Sequence, residues 1–328
     1  MEDQLVRKPT YGSTVTRIQA QGHRKIELEY KTGDKLQTKT YAGVFNTTTF
    51  GCLKRIDTTK AGLNYATKQA LRSIRYGAAA KVGIQFKSAW WIHKLKSHNI
   101  KKGGIGHSDL NMRNCVYPSY NIYDDKSKPA VLLCSYTVQQ DAQRIAALIS
   151  KSSDPAQKLK AEAELKELLI NDLVRLHRNS DMTVKKLNDL IRKEYISHHA
   201  FEWYQDPHSV GAFAFFRPQQ FTGMWSKLIH PSGDFVIIGE AASPHHAWVV
   251  GALESAVHGV HTWLEMNKSH ISGAKDALKL LETSEDGNPF VGLPPYMDAN
   301  TSSWQALLAM NTRDEHLSKM KEEEGIDL

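Results

Sequence analysis

Cysteine is scarce in this chain: Cys52, Cys115 and Cys134 are an odd number of thiols with no CxxC spacing, so neither a disulfide framework nor a thiolate zinc site is indicated. Long apolar runs are missing too. No stretch approaches the roughly 18 residues that a membrane-spanning helix needs, and Met1 to Thr10 is polar, without the apolar centre of a signal peptide. These absences lead to the expectation of a soluble protein with no membrane partner, in a reducing, cytoplasmic compartment. The chain has no GxSxG elbow and no internal repeat. Its 11 prolines and 21 glycines in 328 residues are too few for a collagen-like or low-complexity protein. What remains is a folded chain with length for about two domains.

Charge is unevenly placed. Residues 1–100 hold 18 Lys and Arg against 6 Asp and Glu, a local 18 − 6 = +12 within an overall 42 − 35 = +7, while the tail from Thr312 is acidic. A basic first third suits nucleic acid, an anionic cofactor or an acidic partner alike. The segment Trp90-Trp-Ile-His-Lys-Leu-Lys96 mixes aromatic and basic residues as single-strand nucleic-acid grooves do.

Periodicity gives a three-strand meander over Thr14–Ile18, Arg24–Tyr30 and Lys39–Thr48, with a turn at Thr32 to Asp34. A weaker helical pattern covers Ala61–Arg75. Lys81-Val-Gly-Ile-Gln-Phe86 alternates strictly, so Val82, Ile84 and Phe86 share an apolar face and Lys81 points away from it. Asn99–Met112 is turn-rich, and Pro129–Tyr136 reads as a buried strand. Val138–His199 reads as helical, with Asp154-Pro155 opening one helix and Asp181–Thr183 separating it from the next. A strand at Asp234–Ile238 and a long helix from about His246 to Met266 follow. A Gly/Pro-rich linker at Gly287–Pro295 leads into a last helix.

The stretch from Asp234 to Val257 carries the most information. A buried strand ends at Gly239-Glu240, and after a short loop a helix begins near Ala247 with a small, uncharged first turn. Such a helix start directs free backbone N–H groups and partial positive charge at an anionic or electron-rich ligand. Gly251, Ser255 and Gly259 recur at i+4, a face narrow enough for a flat ring or for ordinary helix-on-strand packing. His245-His246, His258-x-x-His261 and His198-His199 have no carboxylate or cysteine at ligand spacing, so no metal is expected.

This stretch resembles the C-terminal flavin-binding signature of the flavin-containing amine oxidases, in particular their L-amino-acid oxidase branch. Further matching segments follow in order: Gly12–Val15, Lys81–Phe86 with Trp91, Gly103-Gly104, Asp109-Leu110, Arg113, Tyr117-Pro118, Trp203, Gly211, and Pro218 with Phe221. Collinearity from Tyr11 to Trp263 carries the resemblance. The Trp90–Lys96 cluster falls on an ordinary structural segment of that family, so no nucleic-acid partner is expected.

The resemblance implies an α/β fold of the FAD-dependent amine oxidase type: an incomplete FAD/NAD(P)-binding domain plus a mixed-sheet substrate domain with a helical insertion. Residues 1–58 and 216–275 would belong to the first, 59–215 to the second, and 276–328 to a C-terminal extension. By position, it implies that Glu240 hydrogen-bonds FAD, that the Val15 backbone meets the adenine, and that Ala247, Trp248, Val249, Val250, Gly251 and Ala252 form the helix start under the flavin. Trp203 and Trp248 would wall the flavin and substrate cavity, with Ala247 beside the substrate. Tyr117 would hold the substrate carboxylate, Phe213 would contact its side chain, and Lys81 would approach flavin N5 through a water and serve reaction with O2.

The implied reaction is oxidation of an L-amino acid to a 2-oxo acid, ammonia and hydrogen peroxide, with FAD as cofactor and O2 as second substrate. Two departures stand out. Ala247 replaces the glycine common before the helix tryptophan, which narrows the passage to the flavin. The family's GxGxxG, whose helix start receives the pyrophosphate, is absent; Gly103-Gly104-Ile105-Gly106 neither follows a buried strand nor opens a helix. Two alternatives follow: a non-catalytic truncated chain or a subunit completed by a separate GxGxxG-bearing chain, and an oxidase of primary amines or polyamines. A homo-oligomer is also compatible.

Overall fold

The computed structural model describes residues 5–282, which fall into two compact units: one built from the segments up to Tyr76 and from Phe213 onward, the other from Gly77 to Ala212. In the first unit, β1 (Ser13–Gly22), β2 (Lys25–Thr32) and β3 (Lys35–Tyr41) form the expected antiparallel meander. Its reversals use left-handed backbone, with φ 54° at Arg24 and 59° at Gly33. Ile18 and Ile26 turn inward, whereas β3 is exposed along its length. The strand expected to run from Lys39 to Thr48 is divided: β3 ends at Tyr41 and β4 (Val44–Asn46) belongs to a different sheet. Gly43 lies at the break, where an added Cβ would come within 2.7 Å of the Trp263 indole. The short helix α1 (Phe50–Leu53) and then α2 (Tyr65–Ser73) follow, capped by Thr49 and Asn64 side chains that accept from Cys52 and Thr67 N–H. Strand β5 (Arg75–Gly77) closes the segment.

The second unit contains β6 (Ala79–Phe86), α3 (Trp90–His93), β7 (Gly104–His107), β8 (Asn114–Tyr117), β9 (Ala130–Val138), α4 (Gln139–Ala146), α5 (Pro155–Leu176), α6 (Val184–Glu194) and β10 (Tyr195–Glu202). Its strands form one sheet in the order β10-β6-β9-β8-β7, and every neighbouring pair is antiparallel. The mixed sheet expected here is thereby corrected, since even the long helical excursion returns β10 antiparallel to β6. The helical reading that reached His199 is corrected too. Helix ends at Glu194, and the aromatic and β-branched run from Tyr195 becomes the edge strand. Val82, Ile84 and Phe86 are fully buried, and Leu165, Leu169, Leu173, Leu187 and Ile191 from α5 and α6 belong to the same apolar cluster. Each such side chain contributes about 1.5–3 kcal/mol of burial. The helices start as their caps dictate: Asp154 accepts from Ala156 N–H with Pro155 in the first turn, and Thr183 accepts from Lys186 N–H.

The chain re-enters the first unit through β11 (Phe213–Phe215), which pairs with β5, then a π-helical turn at Phe221–Trp225 and α7 (Ser226–Leu228). Strand β12 (Phe235–Ile237) lies parallel to β4 in the register Val44↔Phe235, Phe45↔Val236, Asn46↔Ile237. Helix α8 (Val249–Asn267) and α9 (Ala274–Glu282) complete the described chain. The linker at Gly287–Pro295 and the last helix lie outside the described residues.

Candidate active site

In the first unit the signature stretch forms a tied loop between β12 and α8. Gly239 leaves the strand at φ 108°, ψ −178°, a conformation for glycine, and its N–H donates to Ser255 Oγ of α8 at 2.7 Å. The next side chain, Glu240, turns back on the loop. Its Oε1 accepts the Ala247 N–H at 2.7 Å, and its two oxygens share the Ala214 N–H at 3.0 and 3.1 Å. Burial raises the Glu240 carboxyl pKa above its ordinary value, against the lowering effect of those N–H groups. Glu240 thus first fixes protein backbone: it joins the residue after Phe213 to the residue before Trp248.

Ala247 occupies φ 66°, the left-handed region that favours glycine, and Trp248 is extended. For that reason α8 begins at Val249 and not at Ala247. The helix start has no side-chain cap, and its apolar residues Trp248 and Val249 are 69% and 78% exposed. Val250 and Ala252 are half-buried beside them. The small-residue stripe has the packing use: an added Cβ at Gly251 would meet the His245 carbonyl and Ser243 Oγ, and one at Gly259 would meet Ile238 and Val236. That face is closed by the chain's own loop and strand, so a flat ring does not lie along it.

Seven buried side-chain polar atoms among the described residues of this unit lack hydrogen-bond partners, and two of them lie on the parallel strand pair and the signature loop. One is Nδ2 of Asn46, at the carboxyl end of the parallel β4–β12 pair. The other is Nε2 of His246, whose ring stacks on Phe221 at 5.3 Å and meets Phe216 edge-on at 4.4 Å. Burial lowers the His246 pKa to about 4. Val15 lies on β1 opposite Tyr30, packed against the apolar cluster of the unit.

In the second unit Lys81 projects from β6 on the side away from Val82, Ile84 and Phe86, as its alternation requires. Its Nζ sits 4.8 Å from the centre of the Tyr136 ring. Register places Phe201 on the other flank, and Phe201 packs edge-on against Trp203 at 4.5 Å. Lys81 and Trp203, both anticipated, therefore share one half-buried face with Tyr136 and Phe201, neither of which sequence reasoning singled out.

Tyr117 is elsewhere. It is only 4% exposed, belongs to the apolar cluster on the opposite face of the sheet, and bonds His177 Nε2 at 2.8 Å through its hydroxyl. Tyr117, for which the resemblance implies a contact to the substrate carboxylate, thus lies on the other face of the sheet from Lys81, and Tyr136 is the tyrosine on the Lys81 face. Strand parity concealed this. Leu132 and Cys134 face the core, but a bulge opposite Val82 and Gly83 makes Ser135 and Thr137 the buried positions beyond it, which turns Tyr136 outward.

Among the described residues no group of three or more His, Cys, Asp or Glu is placed to hold a metal, and no helix is long and apolar enough to cross a membrane. A family model described as flavin-containing amine oxidoreductase matches residues 2–260. L-amino-acid oxidase 4 of Hebeloma cylindrosporum is 33% identical over 233 residues, covering 70% of this chain and 35% of the relative. An L-amino-acid oxidase of Siganus canaliculatus is 29% identical over 195 residues, covering 60% and 32%. The chain thus spans about a third of the length of these relatives. A solved cyclohexylamine oxidase from Brevibacterium oxydans matches with a TM-score of 0.51 at 15% identity, covering 78% of this chain and 48% of that one, a likeness of fold.

Proposed function

This chain belongs to the flavin-containing amine oxidoreductase family, and from that premise we propose that it serves FAD-dependent oxidation of an L-amino acid to a 2-oxo acid, ammonia and hydrogen peroxide. The observation that carries the reading is the Lys81–Tyr136 pair, a cation and a phenol on one face with two aromatic neighbours. The names of the relatives support an amino acid over a simple amine.

The residues present fit a flavin on two counts. An unpartnered buried amide, Asn46 Nδ2, stands at the carboxyl end of a parallel strand pair, where α/β sheets take their ligands. The uncapped start of α8 offers backbone N–H groups beside exposed apolar side chains. Glu240, the Val15 backbone and the segment Ala247–Ala252 would hold the cofactor, and Trp248 would cover it. When bound, FAD supplies the two-electron oxidation of the substrate and passes the electrons to O2.

The chain's own residues bind and orient. The Tyr136 hydroxyl donates a hydrogen bond to the substrate carboxylate, the contact that the resemblance implies for Tyr117. Lys81 holds positive charge and a transferable proton on the same face and serves the reaction with O2. Phe201 and Trp203 exclude water from it, and Phe213 contacts the substrate side chain. Glu240 sets the position of Ala247 by holding its N–H. The test is peroxide release by purified, FAD-supplemented protein across the L-amino acids and a set of primary amines and polyamines. Turnover of L-amino acids supports the reading; turnover of amines alone replaces it with amine oxidation.

A further inference from the structure

On the helical side of the five-stranded sheet, a cavity of about 390 Å³ lies between β7 and the end of α5, lined among others by Ile100, Ile105, Leu176, Tyr117, His177 and Ser180. No Asp, Glu, Lys or Arg lines it. His98 and Asn179 also line it, and three further polar side chains, Tyr117, His177 and Ser180, have definite hydrogen-bonding roles. His177 Nδ1 is 2.8 Å from the Leu173 carbonyl; a carbonyl only accepts, so Nδ1 carries the ring proton and Nε2 is a bare lone pair. Burial lowers the pKa of this imidazole, which keeps it neutral. The Tyr117 hydroxyl therefore donates to Nε2, and its oxygen keeps lone pairs for another donor. The nearby Cys115 thiol, pushed up to about 12 by burial, is at most a weak one. Ser180 is 1% exposed and its Oγ has no partner, so it brings both an O–H and lone pairs.

The glycine run singled out in the sequence keeps this space open. An added Cβ at Gly104 would touch nothing within 4 Å, and one at Gly106 would meet Leu176 and Tyr117 at 3.5 and 3.6 Å. The β7 side of the cavity is therefore largely bare backbone.

The geometry points to a second binding site here, on the opposite face of the sheet from Lys81, for an uncharged small apolar molecule carrying a hydroxyl group. The hydroxyl hydrogen meets the Tyr117 oxygen, its oxygen meets the Ser180 O–H, and the apolar body lies against Ile100, Ile105 and Leu176. A carboxylate finds no Lys or Arg among the lining residues, and an ammonium finds no Asp or Glu.

The probes are phenol and cyclohexanol, titrated into the ¹⁵N-labelled full chain and followed by amide NMR, with benzoate and benzylammonium as charged counterparts. The expected result is saturable shifts at Gly104, Gly106 and Ser180 for both alcohols, with the charged molecules at least tenfold weaker. Gly106→Val, which places a side chain in the cavity, weakens phenol at least tenfold, and Ser180→Ala weakens it several-fold. Should the valine variant fail to fold, the alanine variant carries the test. Absent or scattered shifts, equal binding of the charged molecules, or phenol binding unchanged in the folded variants would overturn the site. None of these readouts depends on flavin content or on oxidase activity.

Discussion

Lys81 and Tyr136 meet through an ammonium held 4.8 Å from a phenol ring centre, although they are 136 − 81 = 55 positions apart and the intervening strand β8 carries another tyrosine, Tyr117. Antiparallel register makes them direct cross-strand partners, and the β9 bulge sets which side of the sheet they share. Such a cation–π pair contributes about 0.5–1 kcal/mol at a partly exposed site. Its larger consequence is positional: a proton donor and a positive charge stand together on a face with aromatic neighbours.

The two tyrosines are predicted to separate cleanly on substitution. Tyr136→Phe removes the proposed donor to a charged carboxylate, an interaction of about 1.5–3 kcal/mol. KM for L-amino acids should rise roughly ten- to hundredfold by that same range, with urea stability little changed. Tyr117→Phe leaves His177 Nε2 buried without a donor and should lower stability by about 1–3 kcal/mol while leaving KM unaltered. Steady-state peroxide assays and urea unfolding of both variants check the split; the reverse pattern would restore Tyr117 to the substrate.

Lys81→Met is predicted to slow reaction with O2 far more than reduction by substrate. Stopped-flow measurement of the two half-reactions reads this directly. Equal losses in both would remove Lys81 from the oxygen step.

Ala247 bears strain that glycine would not. At φ 66° its Cβ costs about 1–2 kcal/mol. Ala247→Gly should therefore raise stability by up to about 1 kcal/mol, after the extra freedom of glycine in the unfolded chain is offset. Thermal unfolding measures it, and a lower melting temperature would show that the methyl group packs usefully.

The loop's pH dependence has two limbs of opposite sign. His246 has a folded pKa of about 4 against an ordinary 6.5, so its contribution is full above pH 6.5 and is lost as pH falls toward 4. Glu240 has a raised folded pKa, so its contribution is full below its ordinary 4.5 and is lost as pH rises through the folded value. His246→Phe should flatten the loss of stability between pH 6.5 and 4. Glu240→Gln should instead flatten the change above pH 4.5. Urea midpoints across pH 4 to 8 distinguish the two variants, and parallel curves for both variants and the parent would contradict the assignment.

Local pattern made much of this fold legible. Alternation in Lys81–Phe86 gave both the strand and the outward direction of Lys81, and the Asp154-Pro155 and Thr183 caps marked where α5 and α6 begin. Register and bulges were not legible, because they are settled between strands. The Cys134–Ser135 bulge moved Tyr136 to the Lys81 face, and β10 was read as helix because Tyr195–Glu202 follows a strongly helical run and is an edge strand with one paired side. Of the site, the strand–loop–helix pattern marks the strand end at Gly239-Glu240 and the helix that follows, while the roles of Glu240 and Trp248 come from the family resemblance. The left-handed Ala247 was not legible, since only a closed loop shows that an alanine stands where glycine would be unstrained.

The most direct test of the account is the visible absorption and flavin fluorescence of the purified chain after incubation with FAD and gel filtration. The account predicts that protein-bound flavin elutes with the chain, with perturbed absorption bands, and that Glu240→Ala markedly reduces the amount retained. Protein that elutes colourless from excess FAD, with all flavin in the small-molecule fraction, would contradict it.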